Sequence, residues 1–272
     1  MAAKSVKSSG GLFNVHFVGQ GKGGVGKTII SSFLIQYCRS RGERVVGLSV
    51  DPVNQSLVQY EGLRAEHFEI SKEGKIDETT FDALVAKTWE QDATYVIDAG
   101  ASTFFPFSRY VARNRTETIM AKHNRRLIVH NVITGAGNFD DTMNGFVGWA
   151  NLLPDKGTVL WVNEFFGRVH PVDDDKRVTE HVRSLIGIVF LERANDDLLS
   201  RDIEEMNRQR ITFDEVRGGT TMSEFSQMRL QMFEEDLFKS ISRALSRLDG
   251  TEGGASAGTA PEAVESRNVD AG

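Results

Sequence analysis

The chain has 272 residues, of which 40% are hydrophobic and 26% are charged, and its formal net charge is −6. This composition is typical of a globular protein, and a single α/β domain of this size buries roughly three quarters of its unfolded surface. The negative charge argues against a protein that coats nucleic acid by bulk electrostatics. No apolar run approaches the roughly 20 residues that span a bilayer, and the first residues lack the apolar stretch of a signal peptide, so we expect a cytoplasmic protein.

Strand patterns alternate with helical patterns along most of the chain. Strands are predicted at residues 12–19, 44–50, 67–70, 94–98, 126–133, 158–163 and 185–190. Helices are predicted at residues 29–39, 79–89, 139–152, 173–183, 196–207 and 222–248. The alternation predicts an α/β fold with a mostly parallel sheet and helices on both faces. We expect residues 1–10 to be a flexible N-terminus, 11–248 to be one domain and 249–272 to be a disordered tail.

The first predicted strand and helix flank a P-loop pattern, Gly21-Lys22-Gly23-Gly24-Val25-Gly26-Lys27-Thr28. Glycines let successive backbone N–H groups of residues 21–28 turn toward phosphate oxygens, and the following helix presents its positive dipole end to the same anion. We expect this loop to bind a nucleoside triphosphate. Lys27 would reach the β and γ phosphates, and Thr28 would coordinate Mg²⁺. The alternative is a glycine-rich surface turn that binds nothing.

Polar residues at the ends of three later strands would complete the site, because ligands of open α/β sheets bind at the carboxyl ends of the strands. Asp98 stands where a carboxylate reaches Mg²⁺ through water, and Gly100 would let the backbone approach a γ-phosphate. Asp51 would orient the attacking water or help to hold the metal. Asn163 carries an amide whose donor and acceptor match the edge of adenine. A simple turn is the alternative for Asp98 and for Asn163.

Lys22 is an additional cation at the entrance of the P-loop, and it points away from the phosphates unless an anion arrives from outside. Residues 22–28 resemble the deviant Walker A motif of the ParA/MinD superfamily of P-loop NTPases, in which the first lysine reaches the phosphates of a partner subunit. The resemblance implies ATP and Mg²⁺ as cofactors and a homodimer that forms on ATP binding. It also implies slow ATP hydrolysis, with Lys22, Lys27 and Asp51 as the catalytic residues.

Within that superfamily, residues 51–54 and 96–102 look most similar to the TraL conjugal-transfer ATPases of plasmids, and residues 210–214 extend the likeness. This similarity implies a role in plasmid conjugation with a protein partner that the sequence does not identify. Many relatives carry an aspartate at the position of Ser49, and its loss predicts slow hydrolysis. The iron–sulfur reductase branch of the superfamily needs two cysteines per subunit, whereas this chain has Cys38 alone.

A single cysteine also excludes an internal disulfide and a four-cysteine metal site. Cys38 falls inside a predicted helix, where we expect a small buried apolar side chain. His123 and His130 lie without the carboxylate or cysteine neighbours of a metal site, and the sequence predicts no role for them.

Two surface features are left open by the sequence. A basic cluster follows the Asp98 segment and consists of Arg109, Arg113, Arg115, Lys122, Arg125 and Arg126. It would contact DNA or an acidic partner with steep salt dependence, although solvated surface is the favoured explanation. The last helix carries an apolar stripe made of Phe225, Met228, Met232, Phe233, Leu237, Ile241, Leu245 and Leu248. Its acidic polar face favours packing on the domain core over docking on a membrane or a partner.

Three functions are compatible with these residues. The first is a weak ATPase that acts as a molecular switch: ATP and Mg²⁺ join two subunits, a partner binds the dimer, and hydrolysis releases it. The second is a metabolic kinase or ATP-dependent ligase, which would need an acceptor pocket beside the phosphates that the sequence does not identify. The third is a nucleotide-gated scaffold with almost no turnover, and Ser49 is the residue that suggests it.

Overall fold

A computed structural model of the chain describes residues 11–135, 137–169, 171–192 and 197–248. The predicted N-terminal segment 1–10 and the predicted tail 249–272 lie outside these residues. The strands are β1 (Phe13–Gly19), β2 (Val45–Ser49), β3 (Glu66–His67), β4 (Ser71–Lys72), β5 (Lys75–Ile76), β6 (Thr94–Asp98), β7 (Arg125–Thr134), β8 (Thr158–Asn163) and β9 (Leu185–Leu191). The α-helices are α1 (Lys27–Ser40), α2 (Thr80–Lys87), α3 (Ala101–Asn114), α4 (Thr116–Lys122), α5 (Phe139–Leu152), α6 (Lys176–Glu180), α7 (Asp197–Gln209), α8 (Phe213–Gly218) and α9 (Glu224–Leu245).

Seven strands form one parallel sheet in the order β3-β2-β6-β1-β7-β8-β9, while β4 and β5 form a separate antiparallel hairpin. β1 lies inside the sheet, with β6 paired to one edge and β7 to the other. From β1 the chain first builds one half of the sheet and later crosses to build the other half. The carboxyl end of β1 therefore lies where the strand order reverses, which is the usual ligand-binding position of open α/β sheets.

Helices cover both faces of this sheet. Neighbouring side chains of a strand point to opposite faces, and β1 has apolar side chains on both faces that need to be buried. Val18 of β1 packs into the layer that contains Phe33 of α1 and Leu230 of α9. The preceding residue, Phe17, packs into the other layer and stacks on Phe107 of α3, with 4.5 Å between the ring centroids. The prediction of an α/β fold with a parallel sheet and helices on both faces is confirmed. None of the helices among the described residues has the length and apolarity to cross a bilayer.

Two predicted elements differ from the structure, and the helices α3, α4 and α8 were not predicted. The strand predicted at 67–70 is only the pair Glu66–His67, and the next residues turn into the β4–β5 hairpin. The helix predicted at 173–183 begins later, because the Asp175 side chain accepts a hydrogen bond from the N–H of Arg177 and so caps α6. Helix α3 was not predicted from the sequence, because its interior contains Pro106, a residue that signals helix termination.

The last long helix, α9, closes the domain as predicted from its apolar spacing. Leu230, Leu237 and Ile241 are buried against the sheet layer. Its C-terminal end lies directly on β9, since a Cβ atom at Gly187 would come within 2.4 Å of the carbonyl oxygen of Ala244. Only a glycine lets the helix backbone approach this closely. Cys38 is buried within the same layer and burial raises the pKa of its thiol, so the prediction of a small apolar role is confirmed.

A buried polar chain crosses three neighbouring strands. Trp161 Nε1 on β8 donates to His130 Nδ1 on β7 at 2.9 Å, and His130 Nε2 lies 2.8 Å from His16 Nδ1 on β1. An indole N–H can only donate, so His130 carries its proton on Nε2 and donates it to His16. Burial, helped by the charge of Arg126, lowers the pKa of His16 to about 3, and burial beside His16 holds the pKa of His130 well below its usual value. The sheet interior therefore holds both imidazoles in the neutral form.

Candidate functional site

The loop between β1 and α1 has the backbone of an anion-binding turn. Gly24 has φ +72° and Gly26 has φ +95°, and residues other than glycine rarely adopt this backbone conformation. A Cβ atom at Gly23 or Gly24 would meet no heavy atom within 4 Å, so the space beside the loop is open. Gly26 directly precedes α1, and the first N–H groups of a helix have no partners within the helix. The two glycines are required by the turn itself.

Gln20 and Phe105 hold the start of this loop, and the sequence analysis identified neither. Gln20 is buried: its Oε1 accepts from the N–H of Gly21 at 2.8 Å, and its Nε2 donates to the carbonyls of Val132 and Thr142 at 3.1 and 3.0 Å. A Cβ atom at Gly21 would lie 2.7 Å from the ring of Phe105 on α3. A polar residue at the end of a buried strand is a signal that would have identified Gln20.

Lys27 lies at the base of the loop and is only 9% exposed. Its Nζ donates to the carbonyl of Lys22 at 3.0 Å. Burial lowers the pKa of this ammonium, and the nearby carboxylates of Asp98 and Asp51 oppose that shift. A desolvated cation held among open glycine N–H groups is suited to bind a highly charged anion, because its attraction is little screened by water.

Thr28 and Asp98, which the sequence predicts as metal ligands from segments far apart in the chain, are in direct contact. Thr28 Oγ1 donates to Asp98 Oδ2 at 2.9 Å. The other carboxylate oxygen, Oδ1, accepts from Ser31 Oγ on α1 at 2.9 Å, an additional contact that the sequence analysis missed. Burial raises the pKa of Asp98 to about 6, against the opposing effect of these hydrogen bonds. A hydroxyl and a buried carboxylate side by side are oxygen ligands of the kind that Mg²⁺ prefers.

Asp51 and Gly100 lie against each other at the ends of β2 and β6. Asp51 Oδ1 accepts from the N–H groups of Val53 and Asn54 at 2.9 and 3.0 Å, so this carboxylate also shapes its own loop. A Cβ atom at Gly100 would lie 2.7 Å from Asp51 Cγ. The absence of a side chain at Gly100 is therefore what lets the two loops meet, and movement of one loop would displace the other.

Asn163 ends β8 as predicted, and its amide is hydrogen-bonded within the chain. It is buried at the end of β8, where its Nδ2 donates to the carbonyl of Val25 at 3.0 Å and its Oδ1 accepts from the N–H of Phe165 at 3.2 Å. These two bonds use one N–H and one oxygen lone pair of the amide, so contact with the edge of adenine stays a prediction. In this structure Asn163 fastens the P-loop to the sheet.

Lys22 and Ser49 contrast with these buried contacts. The Lys22 side chain is 45% exposed, and its Nζ lies 3.9 Å from Asp141 Oδ2 on α5, which is more exposed still. Such an exposed pair contributes little stability, so this ammonium is available to another anion. Ser49 lies opposite Asp98 in the sheet, and its buried hydroxyl has no hydrogen-bond partner among the described residues.

The basic cluster predicted downstream of Asp98 does not form one patch. Arg125 is buried, where its guanidinium donates to the carbonyls of Thr88 and Gln91 at 2.6 and 2.7 Å. Arg109 and Arg113 both pair with Glu78, at 3.6 and 3.8 Å. These three arginines therefore have partners within the protein, as expected for structural and ordinary surface residues.

Within the described part of the chain, no group of three or more His, Cys, Asp and Glu side chains could hold a metal ion. In nucleotide sites Mg²⁺ is commonly bound by one or two side chains together with substrate phosphates. Thr28 and Asp98 match that smaller requirement, and the open glycine turn beside Lys27 leaves room for the phosphates.

A family model described as the CobQ/CobB/MinD/ParA nucleotide binding domain matches residues 17–249. The chain belongs to this family. The match includes the P-loop, the carboxyl ends of β2 and β6, and α9. The family's nucleotide-binding domain therefore accounts for most of the chain.

Two curated relatives of this family member are both called Protein TraL and come from Escherichia coli. One is 29% identical over 241 residues, and the alignment covers 86% of this chain and 99% of the relative. The other is 28% identical over 238 residues, with the same coverage of each chain. The similarity to TraL proteins that the sequence motifs indicated therefore extends over nearly the whole described domain.

Among solved structures, the chain is similar to the MinC:MinD cell division protein complex of Aquifex aeolicus. The TM-score is 0.51 at 15% sequence identity, and the match covers 90% of this chain and 98% of that one. At this identity the likeness supports the fold alone, which is the P-loop α/β fold already evident from the sheet order.

Proposed function

We propose that this family member binds ATP with Mg²⁺ at the P-loop and hydrolyses it slowly as a dimeric switch. The observation that carries the proposal is the contact of Thr28 with Asp98 beside the buried Lys27, at the mouth of the positive-φ glycine turn. The N–H groups of residues 23–28 and Lys27 would hold the phosphates, and Thr28 and Asp98 would hold the cation. Bound Mg²⁺ would neutralise charge on the phosphates. Asp51 would orient the attacking water.

Dimerisation is proposed from the position of Lys22. Its side chain is exposed at the loop entrance, and the one ion pair that it makes with the described residues is a weak pair with Asp141, so it could reach a phosphate on another subunit. We expect the wild-type protein to become dimeric with ATP and Mg²⁺ and the Lys22→Ala protein to remain monomeric, as measured by size-exclusion chromatography with light scattering.

Lys122→Ala is the matched control for that experiment, because it removes an exposed lysine that lies away from the loop, at the end of α4. It should dimerise like the wild type. A Lys22→Ala protein that dimerises with ATP as the parent does would contradict the shared-site proposal. A wild-type protein that binds ATP and stays monomeric would contradict the dimer while leaving nucleotide binding intact.

Slow turnover is proposed from Ser49. Its buried hydroxyl lies opposite Asp98, at the position where many relatives carry a second carboxylate, and it supplies no negative charge near the metal. We expect single-turnover hydrolysis at a rate on the order of 10⁻⁴ to 10⁻² s⁻¹, the range of P-loop proteins that act without an activating partner. Rapid quench of radiolabelled ATP would measure it. Turnover much faster than this range would contradict the proposal, and retention of most of the bound ATP after many hours would favour the nucleotide-gated scaffold.

The process that the switch serves is proposed from the similarity to TraL proteins over 86% of the chain. We infer a role in conjugative plasmid transfer, with a partner from the transfer machinery that binds the ATP-bound dimer. Copurification from a plasmid-bearing host in the presence of ATP and of ADP tests this inference. A partner retained equally with both nucleotides would argue against a switch.

A further inference from the structure

The N-terminal half of α9 exposes an apolar stripe that the domain core does not use. Phe225 is 79% exposed, Met228 is 58% exposed and Met232 is 60% exposed. Their spacing of three and four residues places them on one side of the helix. We call these three residues the methionine stripe. Large apolar side chains aligned on a surface and rimmed by polar residues are typical of a protein interaction site.

The stripe is separate from the face that closes the domain. Leu230, Leu237 and Ile241 of the same helix are buried in the core, so α9 is already anchored without the stripe. The apolar spacing of this helix predicted a single face, and the structure divides its residues between the core and the surface. The outward half is left to solvent along nearly two turns.

The helix that carries the stripe is held firmly at that end. The Ser223 side chain accepts a hydrogen bond from the N–H of Ser226 and caps the first turn. Arg229 on α9 pairs with Asp202 on α7 at 2.6 Å. A preformed helix pays little conformational entropy when a partner docks, so the stripe is suited to binding without prior folding.

The charge around the stripe selects the class of partner. Residues 224–239 contain four acidic side chains and two basic side chains. Glu224 and Glu235 are exposed beside the stripe, whereas Arg229 is paired with Asp202 and Lys239 is paired with Asp236. Anionic lipid attracts helices with lysine-rich and arginine-rich polar faces, so this acidic face is unfavourable for a bilayer. A second copy would bring the same carboxylates together, which is also unfavourable.

We propose that the methionine stripe docks a basic amphipathic helix of another protein. Flexible, polarisable methionine side chains adapt to varied apolar anchors, and the acidic rim would pair with lysine or arginine on the partner's polar face. The proposal stands on α9 alone and does not depend on nucleotide binding or dimerisation.

The test uses the full-length protein and a fluorescein-labelled helical peptide of about 18 residues made of leucine and lysine at amphipathic spacing. A leucine–glutamate peptide of the same pattern is the charge control. Fluorescence anisotropy should show saturable binding of the lysine peptide with one site per chain and at least about ten-fold weaker binding of the glutamate peptide. Binding should weaken by at least about ten-fold in Met228→Gln/Met232→Gln, which removes apolar contact without adding charge.

Two further variants make the result specific. Ile119→Gln removes an apolar side chain that is 41% exposed on α4, outside the stripe, and should bind the peptide like the wild type. Glu224→Gln/Glu235→Gln should weaken binding several-fold and reduce its salt dependence. Because all of these residues are exposed, we expect unchanged circular dichroism and thermal unfolding in each variant.

Three outcomes would overturn the proposal. The first is equal affinity of the lysine peptide for the wild type and for Met228→Gln/Met232→Gln, which would mean nonspecific attraction to an acidic protein. The second is flotation of the wild type with phosphatidylglycerol vesicles that the same double variant abolishes. The third is nucleotide-independent dimerisation of the wild type in sedimentation that the double variant abolishes.

Discussion

Replacing Lys27 by alanine is expected to weaken the binding of ATP with Mg²⁺ by at least about 100-fold, equivalent to ~3 kcal/mol. The ammonium of Lys27 is almost fully buried, donates to the Lys22 carbonyl at 3.0 Å and lies beside the glycine turn where phosphates would bind. A cation at such a site acts in a weakly screened environment. Its removal would also leave the buried carboxylate of Asp98 without its nearby positive charge. Isothermal titration calorimetry at fixed Mg²⁺ measures the loss.

Lys22→Ala and Lys122→Ala are the matched controls, because each removes one lysine that is exposed to solvent. At a protein concentration low enough to keep every chain monomeric, both variants should bind ATP with an affinity within about three-fold of the wild type. The three lysines thus separate binding from dimerisation: Lys27 is needed for the first, and Lys22 only for the second. If Lys27→Ala bound the nucleotide as tightly as Lys22→Ala, or if the wild type bound no nucleoside triphosphate at all, the proposed site would be wrong.

Acidification from pH 7.5 to 5.5 is expected to lower the free energy of unfolding by about 3 kcal/mol through His16 and His130. Both pKa values are lowered in the folded protein, that of His16 to about 3, whereas an unfolded histidine titrates near 6.5. Below that pH the unfolded chain binds more protons than the folded one. The two histidines do not lower the free energy of unfolding above about pH 7. They lower it increasingly as the pH falls through 6.5 toward their pKa values in the folded protein.

The hydrogen-bond pattern explains why neither ring accepts a second proton. His130 Nδ1 receives the indole N–H of Trp161, and His130 Nε2 donates to His16 Nδ1. A proton on either acceptor nitrogen would place two donors face to face in a buried site. Asp98 acts in the opposite direction, because its raised pKa of about 6 makes the folded protein bind a proton first. This opposing effect is about 1 kcal/mol, which leaves a net loss of about 2 kcal/mol.

Urea denaturation at pH 7.5, 6.5 and 5.5 would measure this dependence, with His16→Gln/His130→Gln as the comparison. Glutamine keeps polar groups in the sheet and cannot titrate, so the double variant is expected to be less stable at pH 7.5 and to lose the downward slope. The slope is the deciding quantity, since a lower baseline alone would reflect only poorer packing. An equal slope in both proteins would show that other groups cause the acid sensitivity.

The nucleotide-binding loop and the fold class were predictable because both depend on short local patterns. Strand and helix periodicities alternate along the chain, and this alternation leads to a parallel sheet whose strands end at one edge. Thr28 and Asp98 could therefore be expected to lie close together, and they are 2.9 Å apart at their oxygen atoms. The roles assigned to the site residues remain predictions, to be tested by the experiments above.

Other features could not be predicted, because the same local pattern allows several outcomes. Pro106 hid α3, although the helix accommodates the proline in the interior of its span. The amide of an asparagine at a strand end can form hydrogen bonds either with a nucleotide base or with the protein backbone. In the fold, the Asn163 amide bonds to the backbone of Val25 and Phe165. Arg125 was grouped with surface arginines because of its position in the chain. In the fold it is buried, and its guanidinium donates to the backbone carbonyls of Thr88 and Gln91.

The amino-acid sequence by itself determined the order of elements, the glycine turn and the side chains beside it, because backbone preference and side-chain periodicity act over a few neighbouring residues. Only the tertiary structure decided how that turn is held. Gln20 reaches carbonyls 112 and 122 positions away, and Asn163 reaches one 138 positions away. The tertiary structure also divided α9 into a buried face and the exposed methionine stripe. The hydrogen-bond partners of Gln20 and Asn163 depend on how distant segments pack. A buried polar group must be hydrogen-bonded, and only the fold decides which complementary group lies beside it.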